Sequence, residues 1–245
     1  SHQGLTYAGL RTTEHASAED ICQVFVAINT YLKQAGFRKC IYKPIPWIYQ
    51  QQPAEEDLYA LFKECHAQIC ARNIAAVIDM KHPPKWYNIR KSGARKAQEK
   101  GIHIEESEDY ATFWSILTEN LMNTYHAQPV HTLQEMIRLK AFFPDNIKLY
   151  VARSETGKML GGTVLYISRK VVHTQHSPAS EEGKQSHALD ALFQNLIKIR
   201  YKDFDYFDFG TSNEEGGKVL NASLIYQKEG FGGRGVVYDT YEWEL

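Results

Sequence analysis

One predicted strand carries two histidines, which can accept and donate protons, and a glutamine. The stretch 170–176 has the composition of a strand and contains His173, Gln175 and His176. Because side chains alternate along a strand, His173 and Gln175 are predicted to share one face and His176 to occupy the other. A neutral imidazole accepts a proton near neutral pH, so His173 is a candidate general base, acting directly or through water.

A single carboxylate interrupts an aromatic strand further along the chain. Asp208 stands within Tyr206-Phe207-Asp208-Phe209, directly before Gly210. Burying a carboxylate among aromatic rings is costly unless the charge is paired. Asp208 is therefore predicted either to orient a substrate amine or to hold the loop that follows it.

The composition excludes several classes of protein. A chain of 245 residues with 43% hydrophobic residues can bury sizeable cores, which excludes a disordered or fibrous protein. The formal net charge of -1 provides no global field for nucleic acid or anionic lipid. No apolar run reaches the roughly 18–20 residues of a membrane span, and no secretory pattern is present, so a cytoplasmic protein without a membrane span is expected.

The cysteines do not predict a disulfide scaffold or a metal site. Four in 245 residues are too sparse for a disulfide framework, and reduced thiols are expected. Cys65-His66 and Cys70 lack a paired CxxC spacing and a second half-site, so no metal is predicted.

Hydrophobic periodicity alternates between helix and strand and predicts an α/β fold. A strand is expected at 5–10, and from residue 101 onward the predicted order is β-α-α-β-β-β-α-β-α-β, with the last helix at 220–226. Seven basic residues and one acid, Glu99, occupy 81–100, which we interpret as a basic connecting helix that ends a first domain (1–100) before a second (101–245): Lys81, Lys85, Arg90, Lys91, Arg95, Lys96 and Lys100. This helix is either a solvated bridge or a phosphate-binding face for a nucleotide-sugar, a lipid pyrophosphate or tRNA.

The order of elements in the second domain resembles the GNAT acyltransferase fold, a mixed sheet flanked by helices. Gly161-Gly162 is similar to the second strand of the GNAT hairpin, and Tyr226-Gln-Lys228-Glu-Gly230-Phe231 resembles the Y-x-K-x-G-F segment that ends the last helix. Further segments resemble the FemAB-like branch, whose members carry two GNAT-like domains in tandem with a substrate cleft: Leu5-Thr6-Tyr7-Ala8-Gly9-Leu10, Tyr206-Phe-Asp208-Phe-Gly210, Leu220-Asn221 and Lys228-Glu-Gly-Phe231-Gly-Gly. The resemblance implies a complete C-terminal GNAT-like domain and a partial N-terminal one.

The resemblance also implies roles for individual residues. Tyr226 matches the tyrosine that protonates the thiolate leaving group in many GNAT enzymes. His173 and Asp208, proposed above from their residue types, complete the candidate catalytic set. A backbone N–H exposed where two strands splay would stabilise the oxyanion. Lys228, Asn221 and Glu214 are placed at the acceptor, and Gln175 and His176 beside the donor.

The stretch that would bind the donor pyrophosphate departs from the family pattern. GNAT enzymes that use acetyl-CoA carry R/Q-x-x-G-x-G/A before the long helix, and its backbone N–H groups cradle the pyrophosphate. The corresponding residues here contain one glycine and follow two acids, Glu181 and Glu182, that would repel a phosphate: Gly183, Lys184, Gln185, Ser186 and His187. Lys184 and the helix dipole would compensate in part. The superfamily therefore implies an acyl-CoA donor, and this loop weakens that implication.

The sequence thus predicts an N-acyltransferase that transfers an acyl group, in first place acetyl from acetyl-CoA, to an amine of a cell-envelope or polysaccharide precursor. The acceptor would be a small-molecule amine, including a nucleotide- or lipid-linked sugar. Two alternatives stay open: an aminoacyl-tRNA-dependent ligase for peptidoglycan precursors, and a catalytically idle binding module with the same fold.

Overall fold

The computed structural model describes residues 5–245, apart from the side chain of Tyr125. Contacts divide the chain into two compact units. Within the described residues, the first comprises 5–75, 211–225 and 235–245, and the second comprises 76–210 and 226–234.

The helices and strands alternate along the chain as the periodicity predicts. The helices are α1 Ala18–Gln34, α2 Glu56–Lys63, α3 Asn88–Glu99, α4 Tyr110–Tyr125, α5 Leu133–Phe142, α6 Glu181–Gln185, α7 Ala188–Asn195 and α8 Ala222–Gly230. The strands are β1 Lys39–Tyr42, β2 Gln68–Asp79, β3 His103–Ser107, β4 Ile147–Arg153, β5 Met159–Ile167, β6 Val171–His176, β7 Tyr206–Thr211, β8 Asn213–Glu214, β9 Val219–Leu220 and β10 Arg234–Glu244. A π-helical turn, Leu196–Arg200, extends α7, and short 3-10 turns occur at Trp47–Tyr49 and Glu215–Gly217.

The first unit is built on the antiparallel pair β1 and β10, with Lys39 opposite Glu244. Ser17 starts α1 with a capping box, because its hydroxyl accepts from the N–H of Asp20 while the Asp20 carboxylate accepts from the N–H of Ser17. The buried faces of α1 and α2 pack together over a core that contains Phe25, Leu61 and Trp243.

The second unit contains an antiparallel meander, β3-β4-β5-β6, to which β7 is added in parallel. The apolar stripe of α4 packs on this sheet with Phe113 and Trp114 buried against residues such as Leu149 and Val164. Gly162 permits the close approach of α4 and β4, because a Cβ there would lie 2.6 Å from the carbonyl oxygen of Tyr150. The predicted α/β class, with a GNAT-like mixed sheet flanked by helices, is confirmed.

Some predicted elements differ from those observed. The stretch 5–10 is not a strand: Ala8 N–H donates to the carbonyl of Lys43, but the Leu10 N–H donates to the Tyr42 hydroxyl, which interrupts any ladder. The last helix begins at Ala222 rather than at 220, because the Asn221 side chain accepts from the N–H of Leu224 and caps it.

The basic helix is observed as α3, which lies within the second unit. The division into two GNAT-like domains at residue 100 stays a prediction. The two compact units reflect where contacts are dense and do not show whether each part has a GNAT-like fold. Within residues 5–245, no helix combines the length and the apolar character needed to cross a bilayer.

Candidate functional site

The parallel pair β6 and β7 in the second unit separates partway along its length. The paired residues are Val171 with Tyr206, Val172 with Phe207 and His173 with Asp208, and the register ends there. Both strands continue for three more residues, to His176 and Thr211. The register ends before either strand does, which the splayed strand pair expected from the sequence would require. The last pair before the opening consists of the two residues singled out as a candidate base and a buried carboxylate.

His173 and Asp208 form a directly bonded pair at this opening. The His173 Nδ1 lies 2.8 Å from Asp208 Oδ2, and the carboxylate is fully buried. The second oxygen, Oδ1, accepts from the N–H of Gly210 at 2.7 Å. Because an ionised carboxylate only accepts hydrogen bonds, the proton of a neutral His173 ring belongs on Nδ1, which leaves Nε2 as a proton acceptor. The His173 side chain keeps 18% of its surface exposed, so the ring remains accessible.

Lys228 brings a cation to the same place. Its Nζ donates to the carbonyl of Gly210 at 3.0 Å. Burial lowers the pKa of Lys228 to about 8, although the charge of Asp208 acts in the opposite direction. A lysine with such a pKa exchanges its proton near neutral pH, which is a property of groups that take part in proton transfer.

A bulge in β6 overturns the predicted faces of its polar residues. On the opposite strand, Leu165 pairs with Thr174 and Val164 pairs with His176, so Gln175 is left without a partner position. The extra residue reverses the alternation, and His176 lies on the same face as His173. The prediction that His176 lies on the face opposite to His173 was therefore wrong, and the pairing assigns no face to Gln175.

His176 is a neutral residue in an aromatic environment. Its ring packs edge-on against Trp114, with 5.6 Å between the ring centroids. Burial lowers the pKa of His176 to about 4, and His131 and His173 add to the effect. Among the described residues, the buried His176 Nε2 has no hydrogen-bond partner. Donor binding by His176 and Gln175 stays a prediction.

Tyr226 lies on α8 but is not brought to the His173–Asp208 pair. Its side chain is 53% exposed, and its ring packs against Tyr87 with 5.4 Å between centroids. Two residues of a helix differ by about 200° in direction, so Tyr226 and Lys228 project to different faces of α8. The general-acid role of Tyr226 stays a prediction that this contact does not support.

The predicted pyrophosphate loop is largely the helix α6, and its backbone donors are occupied. Ser180 caps the helix by accepting from the N–H of Gly183, and its carbonyl accepts from the N–H of Lys184. The N–H groups of Ser186 and His187 donate to the carbonyls of Glu182 and Lys184. The side chains of Lys184 and Gln185 are exposed, and Lys184 pairs with Glu181. Binding of a donor by residues 183–187 stays a prediction, since these amides already have acceptors.

The remaining predicted substrate residues lie in the first unit. Asn221 Nδ2 donates to Glu214 Oε1 at 3.3 Å, while Asn221 Oδ1 accepts from Ser223 and Leu224. Asn221 thus caps α8 and restrains the β8–β9 hairpin, and binding of an acceptor by these two residues stays a prediction. In the part of the chain that the structure describes, no group of three or more His, Cys, Asp and Glu side chains is arranged to hold a metal ion.

Two residues near His173 were not identified from the sequence. Tyr166 lies opposite His173 on β5, 6.3 Å away between ring centroids, and its hydroxyl is buried with no partner among the described residues. Gly210 has φ +70°, and a Cβ there would lie 3.1 Å from the His173 ring. Aligning the 159–167 and 170–176 strands as a hairpin would have placed Tyr166 near His173.

Solved structures share the fold, although no family model and no curated protein matches the chain. FemX superposes with a TM-score of 0.72 at 10% identity, over 100% of this chain and 83% of FemX. The C-terminal domain of a candidate lysylphosphatidylglycerol synthetase from Agrobacterium fabrum gives 0.63 at 13% identity, over 93% and 74% of the two chains. L-PGS from Bacillus licheniformis gives 0.59 at 11% identity, over 91% and 72%. The chain therefore shares the fold of FemX, and the GNAT-like fold predicted from its sequence is confirmed.

Proposed function

We propose that this protein is an N-acyltransferase that acylates an amine of a cell-envelope or polysaccharide precursor. The observation that carries the proposal is the His173–Asp208 pair at the point where β6 and β7 separate, with Lys228 bonded to the same loop. A base, its orienting carboxylate and a cation are the groups that acyl transfer to nitrogen requires.

His173 would accept the proton of the attacking amine at Nε2. Asp208 fixes the ring orientation through Nδ1 and stabilises the imidazolium that forms. The amine nitrogen bonds to the acyl carbon, the bond from that carbon to the donor sulfur or oxygen breaks, and the leaving group takes up a proton. The amide product and the protonated leaving group balance this exchange.

Lys228 would stabilise negative charge on the acyl oxygen or protonate the leaving group. Its ammonium is held by the Gly210 carbonyl at the open end of β7. In a site shielded from water, a fixed cation aimed at a developing oxyanion contributes more than the same charge in solution. With a pKa of about 8, Lys228 is mostly protonated at neutral pH and still able to give up its proton.

Two classes of acyl donor are alternatives for this site. The GNAT resemblance implies acetyl-CoA or another acyl-CoA. The occupied amides of residues 183–187 and the pairing of Glu182 with Lys158 favour a donor that needs no pyrophosphate cradle, such as the ester of an aminoacyl-tRNA. The second candidate function, an aminoacyl-tRNA-dependent ligase, rests on this observation.

A donor panel tests the proposal. The protein is incubated with acetyl-CoA or with charged tRNA and a mixture of amino sugars, UDP-amino sugars and peptidoglycan precursors, and new amides are found by mass spectrometry. We expect an acylated amine with one donor class. If neither donor yields a product and neither shifts the thermal unfolding of the protein, the proposed function is wrong.

A further inference from the structure

A basic surface on α3 is not used by the His173–Asp208 site. We define the α3 basic surface as the exposed side chains of Lys85, Lys96, Lys100 and Lys198. The Lys198 ammonium lies 4.1 Å from the centroid of the Trp86 ring, and this contact joins the two chain segments within the second unit. The positive charge is concentrated on this surface, since the chain as a whole has a net charge of only -1.

The charges of this surface are not neutralised within the protein. Among the described residues, no carboxylate lies within 4.0 Å of the ammonium groups of the α3 basic surface. Lys100 instead donates to the Gln185 carbonyl, and Glu99 is paired with Arg95 at 3.6 Å. Structural ion pairing thus explains Arg90, which is bonded to the buried Asp190, but not these lysines.

The opposite face of α3 explains why the lysines all point outward. Gly93, Ala94 and Ala97 are buried, and α3 packs on α7 through these small residues. A Cβ on Gly93 would lie 2.0 Å from Asp190 Oδ2, which shows how closely the two helices approach. The helix is therefore held rigidly and presents about 18 Å of charged surface.

Exposed isoleucines lie among the lysines. Ile89 is 55% exposed, and Lys96 and Lys100 follow it by seven and eleven residues, which places the three on one stripe of α3. Ile199, adjacent to Lys198, is 65% exposed. Aliphatic side chains between lysines bury apolar surface at the boundary between the headgroups and the acyl chains of a bilayer. A phosphodiester chain offers no such apolar layer.

We propose that the α3 basic surface docks the protein on an anionic lipid bilayer. The lysines would contact acidic headgroups, and Ile89 and Ile199 would enter the boundary between headgroups and acyl chains. This inference does not depend on the chemistry proposed for His173 and Asp208.

Flotation with vesicles tests the inference. We expect the protein to bind phosphatidylcholine vesicles that contain phosphatidylglycerol and not vesicles of phosphatidylcholine alone. The triple variant Lys85→Gln, Lys96→Gln, Lys100→Gln should bind about a hundredfold more weakly, at about fivefold per lysine. Ile89→Ser alone should weaken binding without changing its salt dependence.

A charge-matched control separates this surface from general electrostatics. Lys33→Gln, Lys63→Gln, Lys218→Gln removes the same charge from other exposed positions and should bind like the wild type. Equal losses in the two triple variants, or equal binding to neutral vesicles, would overturn the inference. So would a double-stranded RNA oligonucleotide that binds through the α3 lysines when the anionic vesicles do not, because the partner would then be a nucleic acid.

Discussion

At the scale of single residues, the candidate site depends on one buried carboxylate and what surrounds it. Asp208 is fully buried, yet both of its oxygens are used, one by the His173 ring and one by the Gly210 N–H. A buried carboxylate is tolerated here only because each of its two oxygens has a hydrogen-bond partner. Of the two roles that the sequence left open for Asp208, holding the next loop is present in the geometry, through the bond from the Gly210 N–H. Orienting a substrate amine stays a prediction.

Lys228 should set the alkaline limb of the pH–rate profile. Its pKa is lowered to about 8 by burial, so the cation is present below that pH and is lost as pH rises through it. We expect the rate to fall above pH 8 in the wild type and to persist to higher pH in Lys228→Arg, since a guanidinium stays protonated. The check is the rate measured from pH 6 to 10. An unchanged alkaline limb in Lys228→Arg would assign it to another group.

His176 should make the fold less stable in mild acid. Its pKa is about 4 when folded and near 6.5 when unfolded, so the unfolded chain binds more protons between these values. Stability is therefore complete above pH 6.5 and declines as pH falls toward 4. We expect wild type to lose about 2 kcal/mol of unfolding free energy from this residue between pH 7 and 5, measured by urea denaturation.

The matched variants for that measurement are His176→Gln and His15→Gln. The first should lose most of this pH dependence, and the second, at an exposed position, should retain it. Equal pH dependence in His176→Gln and wild type would show that His176 is not buried as neutral imidazole.

At the scale of elements, hydrophobic spacing and caps predicted most helices and the meander. Ser17 and Thr132 both form the capping boxes that mark the starts of α1 and α5. The bulge at Gln175 could not be predicted, because nothing in the residues 171–176 distinguishes a regular strand from one with an extra residue. That one insertion decides which polar side chains share a face with His173.

The packing of α6 on β5 can be tested at Gly183. A Cβ there would lie 2.0 Å from the carbonyl oxygen of Leu160, so Gly183→Ala must displace the helix. We expect Gly183→Ala to reduce the unfolding free energy by about 1–3 kcal/mol, measured by chemical denaturation. Gln185→Ala, on the exposed side of the same helix, should change it by less than about 0.5 kcal/mol. If Gly183→Ala is as stable as wild type, α6 is not docked in this way and its amides are free to move.

At the scale of the whole molecule, the order of elements after residue 101 carried most of the fold prediction. The GNAT-like sheet follows from that order, and FemX shares it at 10% identity. Contacts between residues far apart in the chain were harder to predict. From the sequence alone, Lys228 was equally consistent with a solvated side chain. Its bond to the Gly210 carbonyl forms only when α8 packs beside β7. Tyr226 is the opposite case. Its position in the Y-x-K-x-G-F segment predicted a place at the site, but its ring packs against Tyr87.

The most direct test of the central claim is the single-turnover rate of amide formation in wild type and Asp208→Asn, with whichever donor the panel identifies. Asparagine keeps the size of the side chain and removes the charge that orients and stabilises His173. We expect a rate lower by about a hundred- to ten-thousandfold in a variant that still folds, with circular dichroism as the control. Equal rates in the two proteins would contradict it, because amide formation would then proceed without the His173–Asp208 pair.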